Sequence, residues 1–382
     1  MTDGVVNRSG RAPRVLVATD KFKGSLTAAQ VAERVTRGLR RAVPGRGLDV
    51  TSLPVADGGD GTVAAAVAAG FDRRTVRVTG PLGEPVTAAY ALRDGTAVVE
   101  LAEAAGLRLL PAGVFAPLTA TSHGCGEVLR AALDAGARNV VLGVGGSACT
   151  DGGAGMLTAL GARFLAADGA PLPPGGAALA DLATADLTGL DPRLRELGPV
   201  LAGDVGNPLT GPRGAAAVYG PQKGAGPAEV AVLDAALSHY ADVLGPERSA
   251  EPGAGAAGGV GYGALVALGA VFRPGIEVML DVLGFDRALD GVGLVVTGEG
   301  SLDAQTPYGK APAGVAAAAR ARGVTTVAVC GQLTLPPEEL ARTGIRRAYP
   351  LTAVEPDPER CMTHAGELLE RVAEDIARDY LT

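Results

Sequence analysis

Four times along the chain a short apolar run ends in a glycine-rich loop, and the hydrophobic spacing then changes from that of a strand to that of a helix. "RVLVAT" (14 to 19) leads through "DKFKG" into "SLTAAQVAERVTRGLRRAV", and "DVTSLPV" leads into "ADGGDGTVAAAVAAG". "NVVLGV" (139 to 144) leads into "GGSACTDGGAGMLTALGARF", and "VGLVVT" (292 to 297) into "GEGSLDAQTPYGKAPAGVAAAARARG". "TTVAVCG" at 325 to 331 reads as a late fifth strand. Short buried strands alternating with helical segments build a parallel sheet covered on both faces. In open sheets of this kind ligands sit outside the C-terminal ends of the strands, which is where each of these loops falls.

The first repeat of this grammar carries the clearest helix start. Val31, Val35 and Leu39 lie four apart on one face, Thr27 and Gln30 have capping-box spacing, and Leu26 and Val31 are placed to form a staple around the cap. A different texture occupies "RRTVRVTGPLGEPVTAAYALRDGTAVVELA", where apolar and polar residues alternate around turn signals at GPLGE and RDG, as antiparallel strands do. We therefore expect two α/β domains. One is a doubly wound parallel-sheet domain built from both chain ends, residues 1–75 and 285–382; the other is a mixed α/β unit inserted at 76–284, with 118–160 assignable to either. Glycine- and proline-rich stretches at 168–176 and 251–263 read as loops or hinges.

Composition narrows the partners. The 382 residues are 47% hydrophobic and only 3% aromatic, with no Trp, so Ala, Val and Leu must fill the core and aromatic stacking on nucleic-acid bases is disfavoured. A net charge of −7 and the absence of a basic tract argue against non-specific nucleic-acid or membrane-surface binding. The four cysteines form no C-x-x-C pair and the three histidines are far apart, so no zinc spacing is present. "MTDGVVNRSGRAPR" has no apolar core of a signal peptide, and no uninterrupted apolar run is long enough to span a bilayer; the expected location is the cytoplasm.

Five segments crowd carboxylates, amides and lysines among glycines: "DKFKGS", "ADGGDGT", "GGSACTDGG", "GDVGNPLTGPRGAAAVYGPQKGAG" and "TGEGSLDAQTPYGK". Glycines let backbone N–H groups approach a phosphate, carboxylates hold magnesium, and lysines offset charge as a phosphoryl group leaves. Of 34 basic residues only four are lysine, and all four (Lys21, Lys23, Lys223 and Lys310) fall in these segments. The combination points to phosphoryl transfer. No G-x-x-x-x-G-K-[ST] and no protein-kinase signature is present, and the G-x-G-x-x-G at Gly253, Gly255 and Gly258 follows "ERSAEP", which is no buried strand, so that segment reads as a mobile or ligand-approaching loop. Ser147 and Ser301 lack a nucleophile elbow, Cys149 reads as a packing thiol, and His123, His239 and His364 read as structural or half-exposed bystanders.

Taken in order, VATDKFKGSL, VADGGDGT, GGSACTDGGAGM, DVGNPLTGPRGAA, GPQKGA, PGAGAAGG, PGIEVM and TGEGSLDAQTPYGK resemble the bacterial glycerate kinases of type 1 over nearly the whole chain. The resemblance implies a flavodoxin-like domain plus a second α/β domain likened to restriction endonucleases, with the site in the cleft between them. It implies ATP-dependent phosphorylation of D-glycerate, generally to 2-phosphoglycerate, with ATP and Mg²⁺ as cofactors. Carried over by motif, Lys23, Asp204 and Lys310 become the catalytic candidates, with Asp204 as base. Asp20, Lys23, Ser25 and Asn207 bind substrate, and Lys23 at the first helix N-terminus takes its carboxylate. Gly145, Gly146, Ser147, Asp151, Gln222, Lys223, Glu299 and Lys310 take ATP and its phosphates, while Asp57, Asp60 and Asp303 hold the metal. The chain departs from the family pattern at Lys21, Asp60, Cys149, Thr150 and Gly206. A kinase of another small hydroxy acid, an organic-acid-binding protein and a metal-dependent phosphohydrolase stay as alternatives.

Overall fold

The computed structural model describes residues 12–45 and 47–382; the stretch read above for targeting signals lies, through residue 11, outside the described residues. The strands are β1 (Arg14–Thr19), β2 (Asp49–Ser52), β3 (Asp72–Thr79), β4 (Pro85–Arg93), β5 (Thr96–Glu100), β6 (Asn139–Gly143), β7 (Arg163–Leu165), β8 (Thr184–Asp186), β9 (Val200–Gly203), β10 (Val271–Pro274), β11 (Leu294–Leu302), β12 (Thr325–Leu333) and β13 (Ile345–Pro350). Among the described residues no helix is long and apolar enough to cross a membrane. The chain divides into two compact units. Unit 1 runs to Asp57 and resumes at Ala64–Ala69 and Ile276–Thr382; unit 2 is Gly58–Val63 with Gly70–Gly275.

Unit 1 holds a five-stranded parallel sheet in the order β13-β12-β11-β1-β2. Val15, Val17 and Val296 pack into the core on one face, while Leu16, Ala18 and Val295 pack into the core on the other. Burial on both faces explains why these strands read as continuous apolar runs. Each of the valine and leucine side chains contributes about 1.5–3 kcal/mol on burial. Helix α1 (Ala28–Ala42) follows β1, and its start is the capping box read from the sequence: Thr27 Oγ1 accepts the Gln30 N–H and Gln30 Oε1 accepts the Thr27 N–H. From β1 the chain moves outward to β2, then resumes at β11 on the opposite side of β1 and continues to β12 and β13. The strand order thus reverses between β1 and β11, which is the position where doubly wound sheets bind ligands.

Unit 2 holds a six-stranded mixed sheet in the order β10-β9-β6-β5-β4-β3. The alternating segment forms the antiparallel β3-β4-β5 edge, and β5, β6, β9 and β10 run parallel. Register sets Glu100 beside Gly143 and Gly143 beside Ala202, so the C-terminal ends of β5, β6 and β9 converge. Helix α2 (Thr62–Ala68) begins in unit 2 and continues from Ala64 in unit 1, while α3 (Ala102–Ala105), α4 (His123–Asp134) and α5 (Ala154–Ala159) belong to unit 2.

Two local expectations need correction. "TGEGSL" is not a loop: β11 continues through it, pairing Glu299 with Cys330 and Leu302 with Leu333. The 251–263 stretch is not a mobile loop either. Gly253 to Gly263 are buried, and a left-handed triplet, Ala257 to Gly259, precedes helical residues through Ala267. Its glycines serve close approach, since a Cβ on Gly258 would meet Cys149 O at 2.2 Å.

Candidate active site

At the switch point of unit 1 the register of β1 and β11, with Thr19 opposite Gly298, makes Asp20 and Glu299 neighbours at the strand ends. The Asp20 N–H donates to Gly298 O at 2.8 Å, fixing that arrangement. Asp20 is 5% exposed. Burial pushes its carboxyl up to about 7, with the charge of Asp57 adding to the rise while Lys21 opposes it through its ammonium and its N–H. Glu299 is likewise pushed up to about 7 by burial, helped by the charges of Asp20 and Asp57 and opposed by Lys310 and the Thr306 hydroxyl. Lys310 Nζ lies 3.7 Å from Glu299 Oε1 and 3.2 Å from Asp303 Oδ1. Burial raises Asp303, yet the Gln305 N–H and Lys310 outweigh it and hold the carboxyl below its ordinary value. Lys310 itself is the cap residue of the helix Ala311–Ala321.

DKFKGSL forms a tight loop in which Phe22 and Leu26 exchange backbone hydrogen bonds at 2.9 and 3.0 Å and Gly24 takes φ +83°. Lys23 therefore stands exposed in this loop rather than in the first turn of α1, four residues ahead of the Thr27 cap. Ser25 Oγ donates to Phe22 O.

In unit 2 the loop after β6 lies against ADGGDGT. A Cβ on Gly145 would come within 2.5 Å of Gly59 Cα, and one on Gly146 within 2.7 Å of Asp60 Oδ1, so only glycine permits this contact. Gly145 N–H donates to Gly58 O at 3.2 Å, holding the two loops together. Gly146 O accepts the Leu107 N–H and Ser147 bridges to Gly106, strapping the loop to the end of α3.

Asp151 and Lys223, expected at the phosphates, have other work in this structure. Asp151 is buried; its Oδ2 accepts the Ser122 N–H and hydroxyl, both at 2.8 Å, and the Gly155 N–H at 3.3 Å, clamping the starts of α4 and α5 together. Lys223 is 1% exposed and donates to Cys149 O; burial lowers its pKa. The Cys149 thiol is raised well above its ordinary range by burial, as suits a packing thiol. Asn207 is engaged at both ends, its Nδ2 donating to Arg213 O and its Oδ1 accepting the Tyr219 hydroxyl. Asp204 is exposed just beyond β9, and Gln222 is exposed beside Lys223. His239, expected as a bystander, bonds Leu182 O at 2.7 Å, and His364 lies at the junction of two helices rather than within one.

Sequence reasoning missed Glu100. It closes β5, is 2% exposed, and its Oε2 accepts the N–H groups of Gly61 and Val63 at 3.2 and 3.1 Å, anchoring the segment that carries Asp60. The one available signal was an acidic residue directly ending the apolar run "TAVV".

Among the described residues no group of three or more His, Cys, Asp or Glu forms a ready metal cage. Magnesium does not need one, because it keeps several waters and takes one or two carboxylates together with substrate phosphates. The donors present fit that mode: all are oxygens, and Asp20 and Glu299, both pushed up to about 7, are only partly ionised near neutral pH, so that a divalent cation at Glu299 competes with a proton. Asp57, half-buried, is near enough to raise both. Asp57 and Asp303 belong to unit 1 and Asp60 to unit 2.

Carboxylates at a parallel-sheet switch point, a lysine shared between two of them, and glycine loops at converging strand ends are the site features of this chain. The model of the glycerate kinase family matches residues 15–381. Glycerate kinase of Bacillus subtilis (strain 168) is 45% identical over 371 residues, 95% of this chain and 97% of that protein. Glycerate 2-kinase of Escherichia coli (strain K12) is 44% identical over 329 residues, 84% of this chain and 86% of that one. A crystal structure assigned to glycerate kinase 2 of Salmonella typhimurium LT2 superposes with a TM-score of 0.83 at 40% identity, covering 96% of this chain and 98% of that one. With its motifs, its two α/β units and its relatives in agreement over almost their full lengths, the chain belongs to the glycerate kinase family.

Proposed function

We propose that the protein transfers the γ-phosphoryl group of Mg-ATP to a hydroxyl of D-glycerate in the cytoplasm, giving 2-phosphoglycerate. The observation that carries this reading is the group Asp20, Asp57, Glu299 and Lys310 at the unit 1 switch point, in a chain 44% identical to a glycerate 2-kinase. Phosphoryl transfer asks little covalent chemistry of a protein; it asks for in-line positioning and for charge placed where charge develops.

Asp57 and Glu299 hold the ion, with Asp303 as the further carboxylate of the site. Magnesium, when bound, neutralises the phosphate oxygens. Lys310, displaced from Asp303, follows the transferring group. Lys23, on its exposed loop with Ser25, takes the substrate carboxylate. Asp20 accepts the hydroxyl proton in place of Asp204: a general base works best with a pKa near the operating pH, and Asp20 is pushed up to about 7. Gly146, Ser147 and Gln222 face the phosphates, while Gly145, Asp151, Lys223 and Asn207 shape the loops that present them.

The test is glycerate-dependent ADP release, with phosphorus NMR of the product to separate the 2- from the 3-phosphate. Folded protein that releases no ADP at millimolar glycerate refutes the reading. ADP release at the same rate without any acceptor identifies a hydrolase instead.

A further inference from the structure

Unit 2 contains a cavity of about 620 Å³ that none of these roles uses. It lies between the turn after β3 (Pro81, Leu82), the starts of α4 and α5 (His123, Gly155), and the 163–175 segment (Phe164, Leu172). Its size falls in the range of about 300–1,000 Å³ typical of small-molecule sites. A three-carbon acid that is polar at every carbon has no use for an apolar slot. The slot is also preformed. Pro171, Pro173 and Pro174 line it with fixed φ angles, and Gly175, at φ +102°, lies so close to the neighbouring segment that a Cβ would come within 2.4 Å of Thr119 Cα. A rigid wall lowers the ordering cost of binding.

The slot is tied to the proposed phosphate loop by the chain itself. Asp151 on its wall belongs to the loop that begins at Gly145, and Gly155 to the first turn of the helix that follows it. From Gly146 to Asp151 the backbone reaches at most about 17 Å, a span that one nucleotide covers with its base at one end and its phosphates at the other. The polar residues suit a neutral heterocycle: Thr79, Thr119 and His123 are among those that line the slot, while Asp151 is already engaged by Ser122.

We propose that this slot receives the purine base and ribose of the nucleotide donor, an inference that rests on the nucleotide-dependent reading above. The test is photolabelling of the full chain with 8-azido-ATP and magnesium, followed by peptide mapping. Label protected by excess ATP is expected on residues 79–83, 119–123 and 163–175. Thr158, exposed on the slot wall, supplies the second arm: Thr158→Trp is expected to raise KM for ATP about tenfold, with KM for glycerate and the melting temperature unchanged. Labelling reads binding without turnover, so label at these peptides in a protein that does not phosphorylate glycerate refutes the reaction and supports the slot. Protected label that is absent or lies elsewhere overturns the inference, as does a folded Thr158→Trp variant with an unchanged KM for ATP.

Discussion

Glu100→Gln separates charge from shape at the base of the unit 2 loops. The carboxyl is 2% exposed, and burial pushes it from its ordinary 4.5 up to about 7, the Val63 and Gly61 N–H groups opposing the rise and the charges of Glu103 and Asp60 adding to it. A folded-state value above the unfolded one means that the native state binds the proton more tightly. The associated stability is complete below about pH 4.5 and is lost as pH rises through about 7. A shift of that size corresponds to ~3 kcal/mol. Glutamine keeps an oxygen for the two N–H groups and never ionises, so the variant escapes the loss. For a unit of this size 1 kcal/mol moves the midpoint by about 2–4 °C, and the melting temperature of the variant should gain about 6–12 °C on the parent protein between pH 4.5 and 8. Calorimetric scans at fixed ionic strength across that range measure the gap. A gap that does not change with pH, or one that widens in favour of glutamate at high pH, refutes the reasoning, because it means that the two N–H groups stabilise the ionised form as much as, or more than, burial penalises it.

Lys310→Ala should lower kcat by about 10² to 10³, the usual cost of one lost charge-stabilising contact; Lys310→Arg and Lys23→Arg should cost nearly as much, while Lys21→Arg is tolerated, as steady-state assays of the four variants will measure. The pH profile of kcat/KM should rise through about pH 7 as Asp20 and Glu299 lose their protons, and raising magnesium should move the Glu299 part of that limb to lower pH because the ion competes with its proton; a limb insensitive to magnesium removes Glu299 from the ion site. Lys223→Met leaves Cys149 O without its donor and should destabilise the protein by about 1–3 kcal/mol in denaturant titrations. A tenfold rise in KM for ATP with stability unchanged would instead return Lys223 to the phosphates.

The strand, loop and helix order was legible because a parallel strand buried on both faces leaves an uninterrupted apolar signature, and the Thr27–Gln30 cap was legible because its chemistry is local. Burial of the polar residues was not. Asp151 finds its partners at Ser122, 29 positions away, and Lys223 finds Cys149, 74 positions away, so nothing beside them in the sequence tells an inward-facing polar side chain from an outward-facing one. Glycine misled in the same way. In GAGAAGGVG it marks backbones in close contact, and in TGEGSL it lets β11 lie against β12, since a Cβ on Gly298 would meet Val329 O at 2.3 Å. The same residue type that signals a loop in one place is what packing requires in another.

The division between lysine and arginine follows from where each charge must sit. Arginine serves in surface ion pairs: Arg34, Arg37 and Arg41 converge on Glu370, and Arg322 spans Asp286 and Asp290. There a rigid fork and a permanent charge are sufficient. Lys223 occupies the opposite setting, wholly buried with one carbonyl as its recorded acceptor, where the five donors of a guanidinium would be left largely unmatched. Lys310 is shared unequally between Glu299 and Asp303, on contacts of 3.7 and 3.2 Å, so its ammonium has a second partner to leave and a first to return to. A compact head on a flexible stem moves between such positions without changing the direction of its hydrogen bonds, whereas a planar fork fixed on one carboxylate does not. Lys223 is thus a cation that must fit inside the protein, and Lys310, on the proposed mechanism, one that must move between partners.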